Sequence, residues 1–211
     1  MGIIRQGILG GFSGRVGNVV GSSWKGIAYM KSLPLSVANP RTAGQVAQRT
    51  MFGSAAIIGS IMLAAIVKPL WDRFAQRMSG FNAFVKRNTN AYDAQGNFVP
   101  ANFVQSNGNM LATKQDGSTV GATNIEIDFV TDITDRFQMP TDIPFASVLN
   151  ANTGEVLAMG SEAGTTRADG SITIPWLQEK PAADTPILIS LSFLRADGTI
   201  VSDSSSVQGV V

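Results

Sequence analysis

The sequence predicts an α+β protein with a glycine-rich hairpin and helices in its first half and a β-sandwich in its second. Three observations support this. Residues 1–33 contain eight glycines, residues 51–67 carry no charge, and short β-prone runs separated by turn residues follow Asn124. The hydrophobic content of 44 % is sufficient for a real core.

A β-hairpin is predicted over residues 18–32. Its β-prone runs flank Lys25-Gly26, with Val19, Val20 and Trp24 before this pair and Ile27, Tyr29 and Met30 after it. Leu33-Pro34 ends the hairpin, and the segment through Pro40 is predicted to be a linker.

A helix is predicted from Ala43 to about Val67, with Thr42 as its N-cap and Gln45 completing a capping box. Its uncharged stretch reaches only the lower limit of a membrane span, so a buried helix is favoured. Small residues recur at helical spacing and predict close packing, with other copies of the chain as possible partners. These are Gly53, Ala56, Ser60 and Ala64.

Pro69 predicts the first turn of a second helix, for which Ser79-Gly80 is a candidate break. The apolar stripe of this helix is Leu70, Phe74, Met78, Phe81 and Val85. Residues 93–121 are then predicted to be an irregular connection, with turn signals at Asn107-Gly108 and Asp116-Gly117.

Seven short strands are predicted after this connection, a number and spacing typical of an immunoglobulin-like sandwich. The predicted strands are Ile125–Val130, Phe145–Leu149, Glu155–Met159, Ile172–Trp176, Ile187–Leu194, Thr199–Ser202 and Val207–Val211. The sequence Arg-Ala-Asp-Gly occurs at Arg167 and again at Arg195, and we interpret it as one hairpin turn used twice.

Charge divides the chain more sharply than its total of +1 indicates. Residues 1–92 carry eleven basic side chains and one acidic, whereas residues 93–211 carry five basic and fourteen acidic. We therefore predict a basic assembly module over residues 1–92, a connection over 93–121 and an acidic sandwich over 122–211. Opposite charges would let copies stack head to tail.

The composition argues against an enzyme. The chain has no Cys and no His, which excludes thiol nucleophiles, thiolate zinc sites and histidine bases. Asp128, Asp132 and Asp135 lack the order of a calcium-binding loop, and protection of a sheet edge is the favoured interpretation. No catalytic residue, metal or cofactor is predicted.

Several sequence motifs resemble those of an uncharacterised family common in Bacteroidetes genomes and their phages. The first is the glycine-rich string Gly10–Gly21, followed by Trp24–Gly26 and Tyr29–Pro34. Further matches are Arg41-Thr42, Gln45, Gln48-Arg49, Phe52, Met78–Phe84, Phe193, Ala196–Gly198 and Val201–Ser204. The pattern from Pro40 to Phe52 is also similar to one in phage and prophage structural proteins. The resemblance implies a virion component and supplies no catalytic residues.

The leading hypothesis is a non-enzymatic structural protein of a phage virion, in a tail, connector or capsid-associated position. It would self-assemble in many copies in the host cytoplasm and contact other virion proteins, without a membrane. The predicted interface residues are Phe12, Arg15, Trp24, Tyr29, Arg41, Gln45, Arg49, Phe52, Arg73 and Arg77. One alternative is a nucleic-acid-associated virion protein, with Trp24, Tyr29 and Trp71 stacking on bases and non-specific contacts to DNA. Another is a surface adhesion module.

Overall fold

The computed structural model describes residues 3–4, 10–36 and 39–211, and it divides into two compact units. The N-terminal unit is residues 1–42 and the C-terminal unit is residues 43–211. Two of the eight glycines counted in residues 1–33, those at positions 2 and 7, lie outside the described residues, as do residues 37–38 of the predicted linker.

The N-terminal unit is one antiparallel sheet with the strand order β1-β2-β3-β4. The strands are β1 Ile3–Ile4, β2 Phe12–Val16, β3 Val19–Trp24 and β4 Ile27–Ser32. The predicted hairpin is confirmed, since β3 and β4 pair from Val19 opposite Ser32 to Trp24 opposite Ile27. Lys25 and Gly26 form its loop with φ values of 45° and 82°, the left-handed conformation that a type I′ turn requires at both positions.

The C-terminal unit begins with a helical layer. Its elements are α1 Ala43–Ile61, a π-helical turn Leu63–Val67, α2 Lys68–Trp71, α3 Gly80–Asn88 and the 3-10 turns Thr89–Ala91 and Pro100–Asn102. The predicted start of α1 is confirmed, but the helix ends six residues before Val67 because the π-helical turn interrupts it. Among the described residues no single helix is long and apolar enough to cross a bilayer. Residues 43–61 and 63–71 meet that test only as a pair bent by 76°.

The predicted second helix is shorter than expected, because α2 ends at Trp71 and residues 72–79 are not helical, but the predicted break at Ser79-Gly80 is the start of α3. The Ser79 hydroxyl accepts a hydrogen bond from the Asn82 amide at 3.2 Å, as an N-cap does. The Gly80 amide donates to Asp72 Oδ1 at 2.9 Å. A Cβ at position 80 would lie 2.7 Å from the Asp72 amide nitrogen, so this close approach requires glycine.

Seven strands in two antiparallel sheets follow the helices. They are β5 Gln115–Val120, β6 Asn124–Phe129, β7 Ile143–Asn150, β8 Val156–Gly160, β9 Ser171–Pro175, β10 Pro186–Leu194 and β11 Ser205–Val210. One sheet has the order β11-β10-β7-β8 and the other β5-β6-β9.

One turn prediction and one strand prediction are wrong. Asp116-Gly117 does not form a turn but lies in β5. The register of β5 against β6 shifts between Gln115 and Gly117, and a glycine inside a strand commonly marks such a bulge. The predicted strand Thr199–Ser202 makes only isolated bridges, in which Val201 pairs with Leu194 and Ser202 with Met110.

The C-terminal unit has three layers, with the four-stranded sheet in the middle. One face of this sheet packs on the helices through Phe145, Leu149 and Leu188. Its other face packs on the three-stranded sheet, where the shared cluster includes Val148, Ile189, Phe193, Ile125 and Ile172. The two central strands β7 and β10 are therefore buried on both faces.

This layering places the predicted module boundary inside one structural unit. Helical residues such as Ile58 and Phe84 share a core with Phe145 and Leu188 of the sheet, so residues 43–92 are continuous with residues 122–211. Whether residues 1–92 act as one assembly module stays a prediction.

Candidate assembly surfaces

The sheet of the N-terminal unit has almost nothing buried. Of its described residues only Gly21 is buried, and none belongs to either hydrophobic cluster. Phe12 lies over Gly21, where a Cβ would clash with the Phe12 ring, so the glycine permits this contact. A single-layer sheet of this kind cannot stabilise itself by burial of side chains.

One face of this sheet carries two aromatic and two basic side chains, and we call it the basic face. Arg15 pairs with Val20, which in turn pairs with Lys31 on β4. Tyr29 pairs with Ser22 two residues further along β3, and directly opposed residues share a face. The same alternation places Trp24 and Ile27 on this face. Trp24 is 52 % exposed and Tyr29 45 %.

The opposite face carries no charged side chain among the described residues of the sheet, and we call it the apolar face. Its open side chains are Val16 and Val19, which pair with each other, and Met30, which pairs with Gly21. Val16 is 56 % exposed and Met30 72 %. Of the predicted interface residues, Phe12 belongs to the apolar face, whereas Arg15, Trp24 and Tyr29 belong to the basic face.

The predicted small-residue stripe lies only partly away from the core of the C-terminal unit, since Ala56 packs against that core. Ser60 and Ala64 are exposed, and Gly53 and Ala56 are half-buried. The fully buried core residues of α1 lie outside the stripe, among them Ala55 and Ile58. Gly53, Ser60 and Ala64 are therefore the members of the stripe that are accessible to a partner.

An apolar depression of about 300 Å³ lies beside this stripe. Ile57 and Ile61 line it and are themselves exposed, and Glu155 lies at the same site. Tyr92 also lines it, and burial raises the pKa of Tyr92 to about 12. Large apolar side chains gathered at one surface site are typical of protein interfaces.

The remaining predicted interface residues lie at the start of α1 and after α2. Arg41, Gln45 and Arg49 are exposed, as is Phe52. Arg77 is exposed and has a positive φ of 56°. Their role in an interface stays a prediction.

Arg73 has a contact within the fold that the sequence did not predict. Its Nη1 donates to the carbonyl oxygens of Asp197 at 3.2 Å and Gly198 at 3.0 Å. The side chain therefore attaches the helical layer to the turn after β10. A charge reversal at Arg73 would disturb this turn as well as any surface, so Arg77 is the cleaner site for testing charge in assembly.

Trp71 is not available to stack on bases, which corrects the sequence-based expectation. It is only 7 % exposed, and its Nε1 donates to the Gln105 carbonyl at 2.8 Å. Its ring packs edge-on against Phe84 with a centroid distance of 5.8 Å.

A buried polar network joins the helical layer to the central sheet. Gln105 Nε2 donates to the Phe145 carbonyl and to Ser192 Oγ, both at 2.9 Å, and Gln105 Oε1 accepts from Ser147. The Ser106 hydroxyl bonds to Ser192 Oγ at 2.8 Å. These polar groups are satisfied by one another, as buried polar groups must be, and no sequence motif marked them.

A second buried centre surrounds Arg167, whose side chain is fully buried. Its Nε lies 3.2 Å from Asp142 Oδ2, and its Nη1 donates to the Thr113 hydroxyl. Its guanidinium carbon lies 3.9 Å from the centroid of the Phe193 ring. Burial lowers the pKa of Arg167, and the Asp142 carboxylate opposes this change.

The two Arg-Ala-Asp-Gly segments therefore adopt different structures. Arg167–Asp169 is a 3-10 turn. Arg195 instead begins a turn in which the Gly198 amide donates to its carbonyl at 2.7 Å, and its Nη2 donates to the Phe137 carbonyl. The interpretation as one hairpin turn used twice is wrong for the first copy. Arg167 is buried there and forms an ion pair with Asp142, so this copy does not form an exposed turn.

The predicted carboxylates do not gather into a metal site. Within residues 3–4, 10–36 and 39–211, no group of three His, Cys, Asp or Glu side chains could hold a metal ion. Asp135 instead accepts a hydrogen bond from the Leu111 amide at 3.0 Å, which fixes the loop before β7.

Comparison with known proteins gives one match. The model of a protein family described as "Family of unknown function (DUF6266)" matches residues 11–208. No curated protein and no solved structure matches the chain.

Proposed function

The chain belongs to the family of unknown function DUF6266, and we propose that it is a non-enzymatic structural protein of a phage virion. It assembles in many copies through its N-terminal unit. The observation that carries the proposal is the sheet of that unit, which has no core and leaves Val16, Met30 and Trp24 open on its two faces. Apolar surface of this kind gains free energy when another protein surface covers it.

The apolar face is the part of the sheet that contacts other copies. Its side chains in residues 10–36 are uncharged, so covering them leaves no unpaired charge in the interface. The outer side of α1, with the small-residue stripe and the depression at Ile57 and Ile61, supplies a second contact surface.

Charge sets the orientation of the copies. Residues 1–42 carry five basic side chains and no acidic one, whereas residues 43–211 carry eleven basic and fifteen acidic, giving net charges of +5 and −4. Complementary charge between unlike surfaces favours a head-to-tail contact, which produces rings or filaments. A tail, connector or capsid-associated position in a virion assembled in the host cytoplasm suits such a chain, with other virion proteins as neighbours. The motif Gly10–Gly21 supports an origin in Bacteroidetes or their phages.

The sandwich of the C-terminal unit is, in this proposal, immunoglobulin-like. Its support is the packing of a four-stranded and a three-stranded antiparallel sheet around one apolar cluster. An experimental structure with a different order of strands in either sheet would overturn this assignment.

Light scattering of the full-length protein tests the assembly. We expect large oligomers whose size grows with protein concentration, and rings or tubes in negative-stain images. High salt should reduce the order of the assemblies if charge sets their orientation.

A pair of matched variants identifies the surface. Met30→Glu places a charge on the apolar face and should reduce the oligomers to small species, because a charge buried in an interface is costly. Leu177→Glu changes a side chain that is 46 % exposed in the C-terminal unit and should leave assembly unchanged. A monomer at every concentration, or equal effects of the two variants, would contradict the proposal.

A further inference from the structure

The basic face of the N-terminal sheet carries an arrangement that assembly through the apolar face leaves unused. Trp24 and Tyr29 lie on adjacent strands, and Arg15 and Lys31 lie on the same face beside them. Trp24 and Tyr29 are diagonal neighbours across this antiparallel pair, a separation of about 7–8 Å, so both rings are available on the same part of the face.

We propose that the basic face binds single-stranded nucleic acid, with bases stacked on Trp24 and Tyr29 and phosphates near Arg15 and Lys31. The inference does not depend on self-assembly, since it uses the opposite face of the sheet.

The exposure of the rings supports stacking. Trp24 is 52 % exposed and Tyr29 45 %, so much of each side chain is open to a ligand. Every base has a π-face, so such a platform binds without reading sequence. Within the C-terminal unit, by contrast, Trp71 and Trp176 are each only 7 % exposed.

The charge of the unit supports phosphate binding. Residues 1–42 contain five basic side chains and no acidic one, so no carboxylate of the unit repels a phosphate backbone. The platform favours a single strand over a duplex, because the bases of a duplex are stacked on one another and their faces are not open to Trp24 or Tyr29.

Fluorescence anisotropy of a labelled twenty-nucleotide oligothymidine tests the inference with the full-length protein. Trp24→Ala and Tyr29→Ala should each weaken binding by about 5- to 150-fold, the range measured for lost base–aromatic stacking. Leu177→Ala is the matched control, because it removes an exposed side chain of the C-terminal unit that belongs to neither face of the N-terminal sheet. It should leave the affinity unchanged.

Three further measurements separate stacking and charge from loss of the fold. Tyr29→Phe retains the aromatic ring and should retain binding. If Tyr29→Ala weakened binding only by unfolding the sheet, this comparison would not depend on the ring. Lys31→Gln should make the slope of log affinity against log salt shallower by about 0.7, the value for one phosphate contact with a single strand. Oligonucleotide should also quench tryptophan fluorescence in the parent protein and not in Trp24→Ala, since the other two tryptophans are buried.

Three results would overturn the inference. The first is an absence of binding at low salt, and the second is equal weakening by Leu177→Ala and Trp24→Ala. The third is a Trp24→Ala protein that forms smaller oligomers yet binds oligothymidine with parental affinity, because the basic face would then be a contact between copies.

Discussion

Removing the Asp142 carboxylate should destabilise the C-terminal unit far more than removing an exposed acid. Asp142 Oδ2 lies 3.2 Å from Arg167 Nε and also accepts from the Met139 amide at 2.8 Å. In Asp142→Ala the guanidinium remains fully buried without its counter-ion, and the Met139 amide loses its acceptor.

The structure sets the size of the effect. Breaking a buried ion pair by removing one partner typically costs about 3–5 kcal/mol. Arg167 keeps its bond to Thr113 and its position over the Phe193 ring, so we expect the lower end, about 3 kcal/mol. For a unit of this size that corresponds to a fall in Tm of about 6–12 °C.

Urea unfolding followed by circular dichroism measures the change. Asp116→Ala removes an exposed carboxylate and should alter the free energy of unfolding by no more than about 0.5 kcal/mol. The double variant Asp142→Ala/Arg167→Met removes both buried charges and should be more stable than Asp142→Ala alone. The reasoning would be refuted if Asp142→Ala lowered the free energy of unfolding by less than about 1 kcal/mol. It would also be refuted if the double variant were less stable than Asp142→Ala and Arg167→Met separately.

Two glycine substitutions in the helical layer should have opposite signs. Gly80→Ala should lower the free energy of unfolding by about 1–3 kcal/mol, because its Cβ would meet the Asp72 backbone, whereas Gly53→Ala has open space and should raise it by about 0.5–1 kcal/mol. Chemical denaturation that gives both variants the same sign would contradict this. A third prediction concerns pH: hydrogen bonds from the Thr199 hydroxyl and amide lower the pKa of Asp197. Its contribution to stability is complete above the unfolded value of about 3.9 and is lost as the pH falls below it. Asp197→Asn should therefore flatten the acid side of the plot of unfolding free energy against pH, and an unchanged acid limb would count against the assignment.

Local sequence signals were sufficient where local geometry decides the structure. The Lys25-Gly26 loop and the Ser79 cap were predictable because each depends on a few neighbouring residues. β5 was not predictable, because Asp116-Gly117 has the composition of a turn and only pairing with β6 makes it a bulge. The end of α1 was also missed, since no proline or charge marks the π-helical turn at Leu63–Val67.

The three-layer arrangement of the C-terminal unit has a signal in the sequence of β10. Residues 187–194 read as an almost uninterrupted run of apolar and serine residues, without the alternation of a strand that has one face in water. Such a run indicates burial on both faces, as β10 has. It would have indicated that the helices cover the sheet.

The sequence indicated which aromatic side chains could bind a partner but not which of them are exposed. Trp24 and Tyr29 are exposed on the N-terminal sheet, whereas Trp71 is buried in the helical layer. Arg167 and Arg195 likewise begin identical tetrapeptides, but Arg167 pairs with the distant Asp142 and its turn is capped by Thr166, whereas Arg195 contacts Phe137.

The Gln105 network also constrains when the protein can fold during synthesis. Ser192, which bonds to Gln105 Nε2, lies 87 residues later, and Ser202, whose carbonyl accepts from Ser106, lies 96 residues later. A chain emerging from the ribosome therefore exposes the core-facing sides of α1 and α3 until its last strands have been made. The apolar sides of α1 and α3 are buried only when strands from the end of the chain are present. Premature termination near the C-terminus should therefore leave an aggregation-prone helical layer rather than a smaller folded protein.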